Sequence, residues 1–353
     1  MKIALIGAGI DDIPSKKFGA LEMVLWNYKL GLEKEGHEVV IFNDQNLKPV
    51  VAQINAGRFD FVFLNYSEYV SFFSRHLVVP FCTNCQSGYI TNTKKWSIGY
   101  YSVFYDTMKS SGIVASSPEI AQLYADNGYR GFIHVLPNGI DTENFLAREK
   151  GNGRAICLGR IEPRKRQAWL ATMVSNTVDI DFVGPIQDPT FEAGGRARHL
   201  GYWMKEEMYK NLSLYSCLVL LSDGEAAPLV VPEALAAGLS IVVSKSAAAN
   251  LDEKLPFITI LPDDVSDPIV IAEAINTQIK NNSIYRADVL EYAKKHFDNI
   301  VIVQEFITIA EEFRQYKPTA KNKYTIPLEK LPIYLLSKLA LLVKTVLRTV
   351  RST

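Results

Sequence analysis

Two glutamates eight positions apart, Glu225 and Glu233 in "GEAAPLVVPEALAAG", are the residues whose types and spacing speak first of chemistry. The flanking residues predict a helix that starts near Pro228 and stops at Gly238, with proline in its first turn and glycine just past its end. Glu225 then precedes the helix and Glu233 lies inside it, so both carboxylates can face one pocket at the helix start. Free amides there, those of Ala227, Leu229 and Val230, favour an anion such as a phosphate. Earlier, "GRIEPRKRQ" follows the strand-like "AICL". Arg160 and Lys165 thus leave the carboxyl end of a strand, and a guanidinium fork plus a point charge suits a diphosphate. Each feature has a plainer reading: Glu225 as a capping acid, Glu233 as a surface helix acid, the basic run as a solvated loop. Spacing alone weighs these evenly against a pocket in which one acid holds sugar hydroxyls and the other a ribose diol.

The elements that must position these residues follow from the hydrophobic pattern. Short apolar runs, "KIALIG", "EVVIF", "FDFVFLN" and "LVVPFC", then "AICLG", "DIDFVG", "CLVLLS", "LSIVVS" and "FITIL", alternate with helical periodicity. Runs apolar on both faces and separated by helices predict parallel sheets covered on both sides, an α/β chain of two doubly wound units. The best junction is "PNGIDTENFLAREKGNGR", where glycine, asparagine and charge replace the periodic pattern. At 353 residues the chain has room for two domains.

Formal net charge is zero, which leaves no long-range pull toward nucleic acid. The charge is unevenly placed: from Pro318 onward seven basic residues face one acid, Glu329, so the rest of the chain carries −6. Four cysteines are too few for a disulfide framework in a chain this long, which points to a reducing, cytoplasmic setting. The start "MKIALIGAG" reads as a first strand, since Asp11 and Asp12 cut short any signal-peptide apolar region. Cys82 and Cys85 form a C-x-x-C, but zinc would need a second ligand pair and a redox pair should open a helix, so strand-end thiols are the better reading. The five histidines, at 37, 76, 134, 199 and 296, read as capping or packing residues.

"PNGIDTENF", "GRIEPRK" and the E-x7-E pair Glu225 and Glu233, in that order, resemble glycosyltransferase family 4, retaining enzymes of the GT-B fold. The likeness runs from the first strand to about Tyr316. It implies an N-terminal acceptor-side domain over 1–148, a nucleotide-sugar domain over 149–300 and a helix over 301–317 crossing back to the first domain; residues 318–353, outside the likeness, read as a basic amphipathic tail. It further implies that Arg160 and Lys165 neutralise the diphosphate of a UDP- or GDP-linked sugar, that Glu225 contacts the transferred sugar, and that Glu233 holds the ribose. Asn138, Gly139 and Asp141 would shape the interdomain turn. No metal or separate cofactor is implied; the acceptor would be a glycan or a lipid-linked molecule. The family commonly carries a histidine about six residues after the proline of "VVPFCTNCQ", where this chain offers Gln86 with Asn84 close by. Its glycine pair before the first helix matches Gly19 and Ala20, whose backbone amides would approach the donor phosphate.

Besides a glycoside hydrolase, whose two carboxylates would have to flank a bond instead of gathering beside a phosphate-binding helix start, two rival readings remain at this level. Gly7 and Gly9 are spaced as in a dinucleotide-binding loop, and "EVVIFND" ends in Asp44, as an NAD-dependent nucleotide-sugar dehydrogenase or epimerase would require. Against it, Asp12 occupies the third glycine position and the helix is expected only after "PSKKFGALE". The other rival is a catalytically degenerate partner, for which Gln86 is the main support. The tail, "IPLEKLPIYLLSKLALLVKTVLRTVR", is too interrupted to cross a bilayer but places Leu335, Leu336, Leu339, Ala340, Leu342, Val343, Val346, Leu347 and Val350 on one face of a helix, with Lys330, Ser337, Lys344, Arg348 and Arg351 opposite. This predicts peripheral membrane contact through residues 326–351, with a packed helix or an oligomer contact as alternatives.

Overall fold

The computed structural model describes residues 1–15, 20–86, 98–174, 176–317 and 324–352, and the chain divides into two compact units. One comprises Met1–Pro137 and Val303–Thr353, the other Asn138–Ile302.

In the first unit, β1 (Lys2–Ile6), α1 (Ala20–Lys34), β2 (Glu38–Phe42), α2 (Leu47–Ala56), β3 (Phe61–Leu64), α3 (Val70–His76), β4 (Cys82–Cys85), α4 (Ile98–Thr107), β5 (Gly112–Ala115), α5 (Pro118–Asp126) and β6 (Phe132–Val135) alternate regularly. The strands form a parallel sheet in the order β2-β1-β3-β4-β5-β6. In the second unit come β7 (Ala155–Leu158), α6 (Gln167–Met173), β8 (Ile180–Val183), β9 (Ala197–His199), α7 (Lys205–Asn211), β10 (Cys217–Leu220), α8 (Val230–Ala236), β11 (Ser240–Ser244), β12 (Ile258–Leu261) and the long α9 (Pro268–Phe297). Its parallel sheet runs β12-β11-β10-β7-β8-β9. α10 (Asn299–Tyr316) starts in the second unit and continues into the first, where Phe306 packs on Tyr28 and Phe63 with ring centroids 5.0 and 4.9 Å away. α11 (Leu331–Ser352) belongs to the first unit.

The continuous apolar runs are explained by burial on both faces. In the second sheet Ile156, Leu218, Leu220, Ile241 and Val243 enter one core, and their alternate neighbours Ala155, Cys157, Cys217, Val219 and Val242 enter the core on the other side. Three strands escaped the sequence reading: β5, β6 and β9 are short, and β9 is a charged edge strand, "ARH". β4 also falls later than "LVVPFC" suggested, on "CTNC", because Pro80 lacks the amide a central strand must donate.

β9-β8-β7-β10-β11-β12 is the doubly wound order in which the chain leaves β7 for one edge and later returns beside it at β10. The crevice at such a reversal, at the carboxyl ends of the two diverging strands, is where open parallel sheets bind ligands. The loops leaving β7 and β10 carry Arg160 to Lys165 and Ser222 to Glu225.

Candidate functional site

After β7 the backbone passes through Gly159 at φ +134°, and a side chain there would lie 2.8 Å from Lys165 Nζ. The neighbouring strand end is closer still: a Cβ on Gly184 would sit 2.1 Å from the Gly159 carbonyl oxygen. Glycine at 159 lets the lysine fold back over the strand end. Gln167, buried, donates to the Gly159 carbonyl at 3.4 Å and accepts from the Glu162 amide at 3.1 Å, which pins the two ends of the loop. Between them Pro163–Lys165 makes one 3-10 turn.

That turn directs its two basic side chains to different tasks. Arg164 donates to Glu225 Oε1 at 2.8 Å, to the Gly224 carbonyl at 2.9 Å and to Ser222 Oγ at 3.2 Å, and pairs with Glu162 at 2.9 Å. Ser222 Oγ in turn donates to Glu225 Oε1 at 2.8 Å. Lys165 carries no ion pair among the described residues. Burial draws its ammonium below the ordinary lysine range and the nearby Arg164 and Arg160 push the same way, while Glu225 and Glu162 oppose them. A half-desolvated cation beside two others is a group that gains from an incoming anion. Arg160 is exposed just past the strand end.

Glu233 sits elsewhere in the same unit. It belongs to α8, which begins at Val230, two residues past Pro228; Pro232 is the proline in its first turn, where the missing amide costs nothing. The amides of Val231 and Glu233 are bonded to the carbonyls of Pro228 and Leu229. Gly238 ends the helix at φ +82°, as the sequence predicted. The Glu233 carboxylate is held by Lys205 of α7 at 3.4 Å, and burial raises its pKa despite that partner. Lys205 lies over the ring of Tyr209, 5.9 Å from its centroid. Glu225 and Glu233 are thus each engaged by a different cation.

The loop between them is braced from the "PNGID" turn. Asn138, buried, donates to the Ala227 carbonyl at 3.0 Å, and Gly139 lies where a Cβ would meet Asn299 Oδ1 at 2.5 Å. Asp141 accepts the Glu143 amide at 3.2 Å as a local cap. Sequence reasoning singled out neither Arg164, Ser222 nor Lys205. Adjacent basic residues leave it open which of them turns inward, and Lys205 lies 28 positions before its partner.

In the first unit Gln86 directly follows β4, at the carboxyl end of that strand. Beside it Asn84 is buried and donates to Asn65 Oδ1 at 2.6 Å, a tie between the ends of β4 and β3. Gly19 lies outside the described residues, and Ala20 is the first residue of α1, which therefore opens before the end of "PSKKFGALE". The Gly7 and Gly9 loop is committed to the protein itself: the Gly9 amide donates to Asn43 Oδ1 at 2.7 Å, and Asn43 Nδ2 to the Asp11 carbonyl at 2.8 Å. Asp44 caps the turn into α2 by accepting the Asn46 amide at 2.8 Å. A dinucleotide would find the diphosphate amide and the ribose acid both occupied.

Cys82 and Cys85 are buried thiols, and burial pushes Cys85 up to about 12, the reverse of a reactive pair. Each histidine has a packing or capping partner, for example His199 Nε2 with the Gly184 carbonyl at 2.9 Å and His37 with the chain's first amine at 2.9 Å. Among the described residues no group of three or more His, Cys, Asp or Glu is placed to hold a metal ion, and no helix is long and apolar enough to cross a membrane.

No protein-family model matches the chain, and no curated protein sequence does. Solved structures do. HepE from Anabaena, in complex with UDP, is 17% identical with a TM-score of 0.69, over 88% of this chain and 100% of that one. Sucrose-phosphate synthase from Thermosynechococcus elongatus is 13% identical with a TM-score of 0.70, over 88% and 98%. A glycosyltransferase from Rickettsia africae is 14% identical with a TM-score of 0.65, over 88% and 98%. At these identities the likeness is one of fold: two parallel six-stranded sheets with interleaved helices, the GT-B type.

Proposed function

We propose that the chain is a retaining glycosyltransferase, related to glycosyltransferase family 4, that moves a sugar from a UDP- or GDP-linked donor to a glycan or lipid-linked acceptor. The observation that carries this reading is the Lys165 ammonium, half-buried beside the Arg164–Glu225 pair at the carboxyl ends of β7 and β10. The same fold in HepE is described with UDP and with UDP-glucose, which supports a nucleotide sugar as the partner here.

As the bond between the anomeric carbon and the diphosphate lengthens, negative charge grows on the leaving group. Lys165 and Arg160 meet that charge from fixed positions, so stabilisation increases toward the transition state without reorganisation. The backbone of Ala227, Leu229 and Val230, braced by Asn138, follows the diphosphate, and Glu233 holds the ribose hydroxyls. Glu225, oriented by Arg164 and Ser222, lies on the side of the developing positive charge at the anomeric carbon. Gln86 of the first unit carries an amide that cannot titrate, so no proton is routed through it. Attack from the face of departure retains configuration and needs no protein nucleophile, and none of these steps calls for a metal.

The test is turnover. With UDP- and GDP-sugars as donors, the chain should release nucleotide, and Glu225→Gln should lower kcat far more than it changes donor KM. Absence of both transfer and donor hydrolysis across the common donors would identify the chain as a non-catalytic relative.

A further inference from the structure

An amphipathic helix ordinarily docks on its protein through its apolar face. α11 does the reverse. Its contacts with α4 run through Tyr334, Ser337 and Lys338: Tyr334 donates to Asp106 Oδ1 at 2.7 Å, Ser337 Oγ accepts the Ser102 amide at 2.8 Å, and Lys338 pairs with Asp106. Lys109 closes the cluster on Asp106 at 2.5 Å. Tyr334, Ser337 and Asp106 are all buried, so this is a fixed attachment. The leucines on the opposite side are consequently turned outward: Leu335, Leu336, Leu339, Leu342 and Val343 are 50 to 63% exposed. They recur at i, i+4 and i+7, and Leu328 just before the helix is exposed as well.

We propose that this stripe is a docking surface for an anionic lipid bilayer, on which α11 lies in the plane of the interface. Charge decides the occupant. The segment from Pro318 carries seven basic residues and one acid, among them Lys330 before the helix and Lys344, Arg348 and Arg351 in its later turns. The later basic residues therefore follow the leucines along one and the same helical segment, which joins cationic charge to the apolar stripe in sequence. A second copy of the same helix would bring a second set of positive charges to it, whereas an anionic headgroup layer brings counter-charge and an apolar layer just beneath it. The Asp106 cluster gives the arrangement its direction: by fastening the polar side to α4 it prevents the helix from rolling its leucines onto the protein.

The experiment is flotation of the full chain, without nucleotide, on vesicles of phosphatidylcholine alone and of phosphatidylcholine with phosphatidylglycerol. Binding is expected on the anionic vesicles and should weaken as salt is raised. The variant Leu335→Gln/Leu339→Gln/Leu342→Gln keeps the charge and alters only exposed positions; it should lower vesicle partitioning at least about tenfold, since burying one leucine side chain is itself worth about that factor. Its melting temperature and its response to UDP or GDP should match the unmodified chain, which separates this surface from the donor site. Anionic vesicle binding that survives the triple change overturns the proposal, as does failure of the unmodified chain to bind. So does light scattering that shows a dimer which the triple variant converts to monomer with vesicle binding absent.

Discussion

Lys165 and Glu233 make opposite demands on the protein around them. The Lys165 ammonium is costly to keep charged where it sits, and an anionic ligand removes that cost. Lys165→Met should therefore leave the ligand-free protein as stable as before or slightly more so, while titration calorimetry with UDP or GDP shows affinity weaker by about ten- to a hundredfold, the worth of one charge-assisted contact. Unchanged affinity would remove Lys165 from the site. Glu233 gives a dependence on pH. Its folded pKa is raised by burial above the ordinary glutamate value, so the folded state holds a proton more readily than the unfolded chain. Stability from this group is then complete below the unfolded pKa and is lost as pH rises through the folded one. Urea unfolding at acidic and at neutral pH should show the unmodified chain losing ground to Glu233→Gln as pH rises, and a gap between the two that does not vary with pH would mean Glu233 is as solvated as a free glutamate.

At the scale of elements, what the sequence makes legible is what local chemistry dictates. The apolar runs mark eight strands in place because β-branched and aromatic residues buried on both faces leave an unmistakable block, and Gly238 marks the end of α8 because only a φ above zero fits there. β9 was not legible: an edge strand of three residues gains its identity from pairing with β8. The pairings of Arg164 with Glu225 and Lys205 with Glu233 depend on which strands neighbour one another, which no local pattern contains. The same is true of Arg286 on α9. Buried, it donates to the carbonyls of Arg148, Ser213, Tyr215 and Ala237 and to Asn282 Oδ1, and so ties the end of α8 to the loops beneath it. Arg286→Met should destabilise the second unit by roughly 3–5 kcal/mol in denaturant unfolding, because four carbonyls lose a charged donor at once. A change below about 1 kcal/mol would show that water replaces the guanidinium there.

Taken whole, the molecule has two sheets and two loops that an eye trained on motifs would offer to a nucleotide, one after β1 and one after β7. The structure distinguishes them by what their polar groups are already doing. After β1, Asn43 accepts the Gly9 amide and donates to the Asp11 carbonyl, Asp44 is taken by the Asn46 amide, and the exposed Asp11 and Asp12 would repel a diphosphate. After β7, the backbone turns away through Gly159 and leaves Lys165 as a cation whose charge the protein only partly offsets. Hydrogen exchange on the full chain with saturating UDP or GDP should accordingly slow amides in residues 159–167 and 222–233, and leave residues 7–12 and 43–46 as they were. At a hundredfold excess over Kd a ligand of this kind stabilises the folded state by about 2.7 kcal/mol, enough to shift any amide that exchanges through unfolding of the second unit. Protection centred on residues 7–12 and 43–46, most of all with NAD in place of the nucleoside diphosphates, would reverse the assignment and make the first sheet the one that binds.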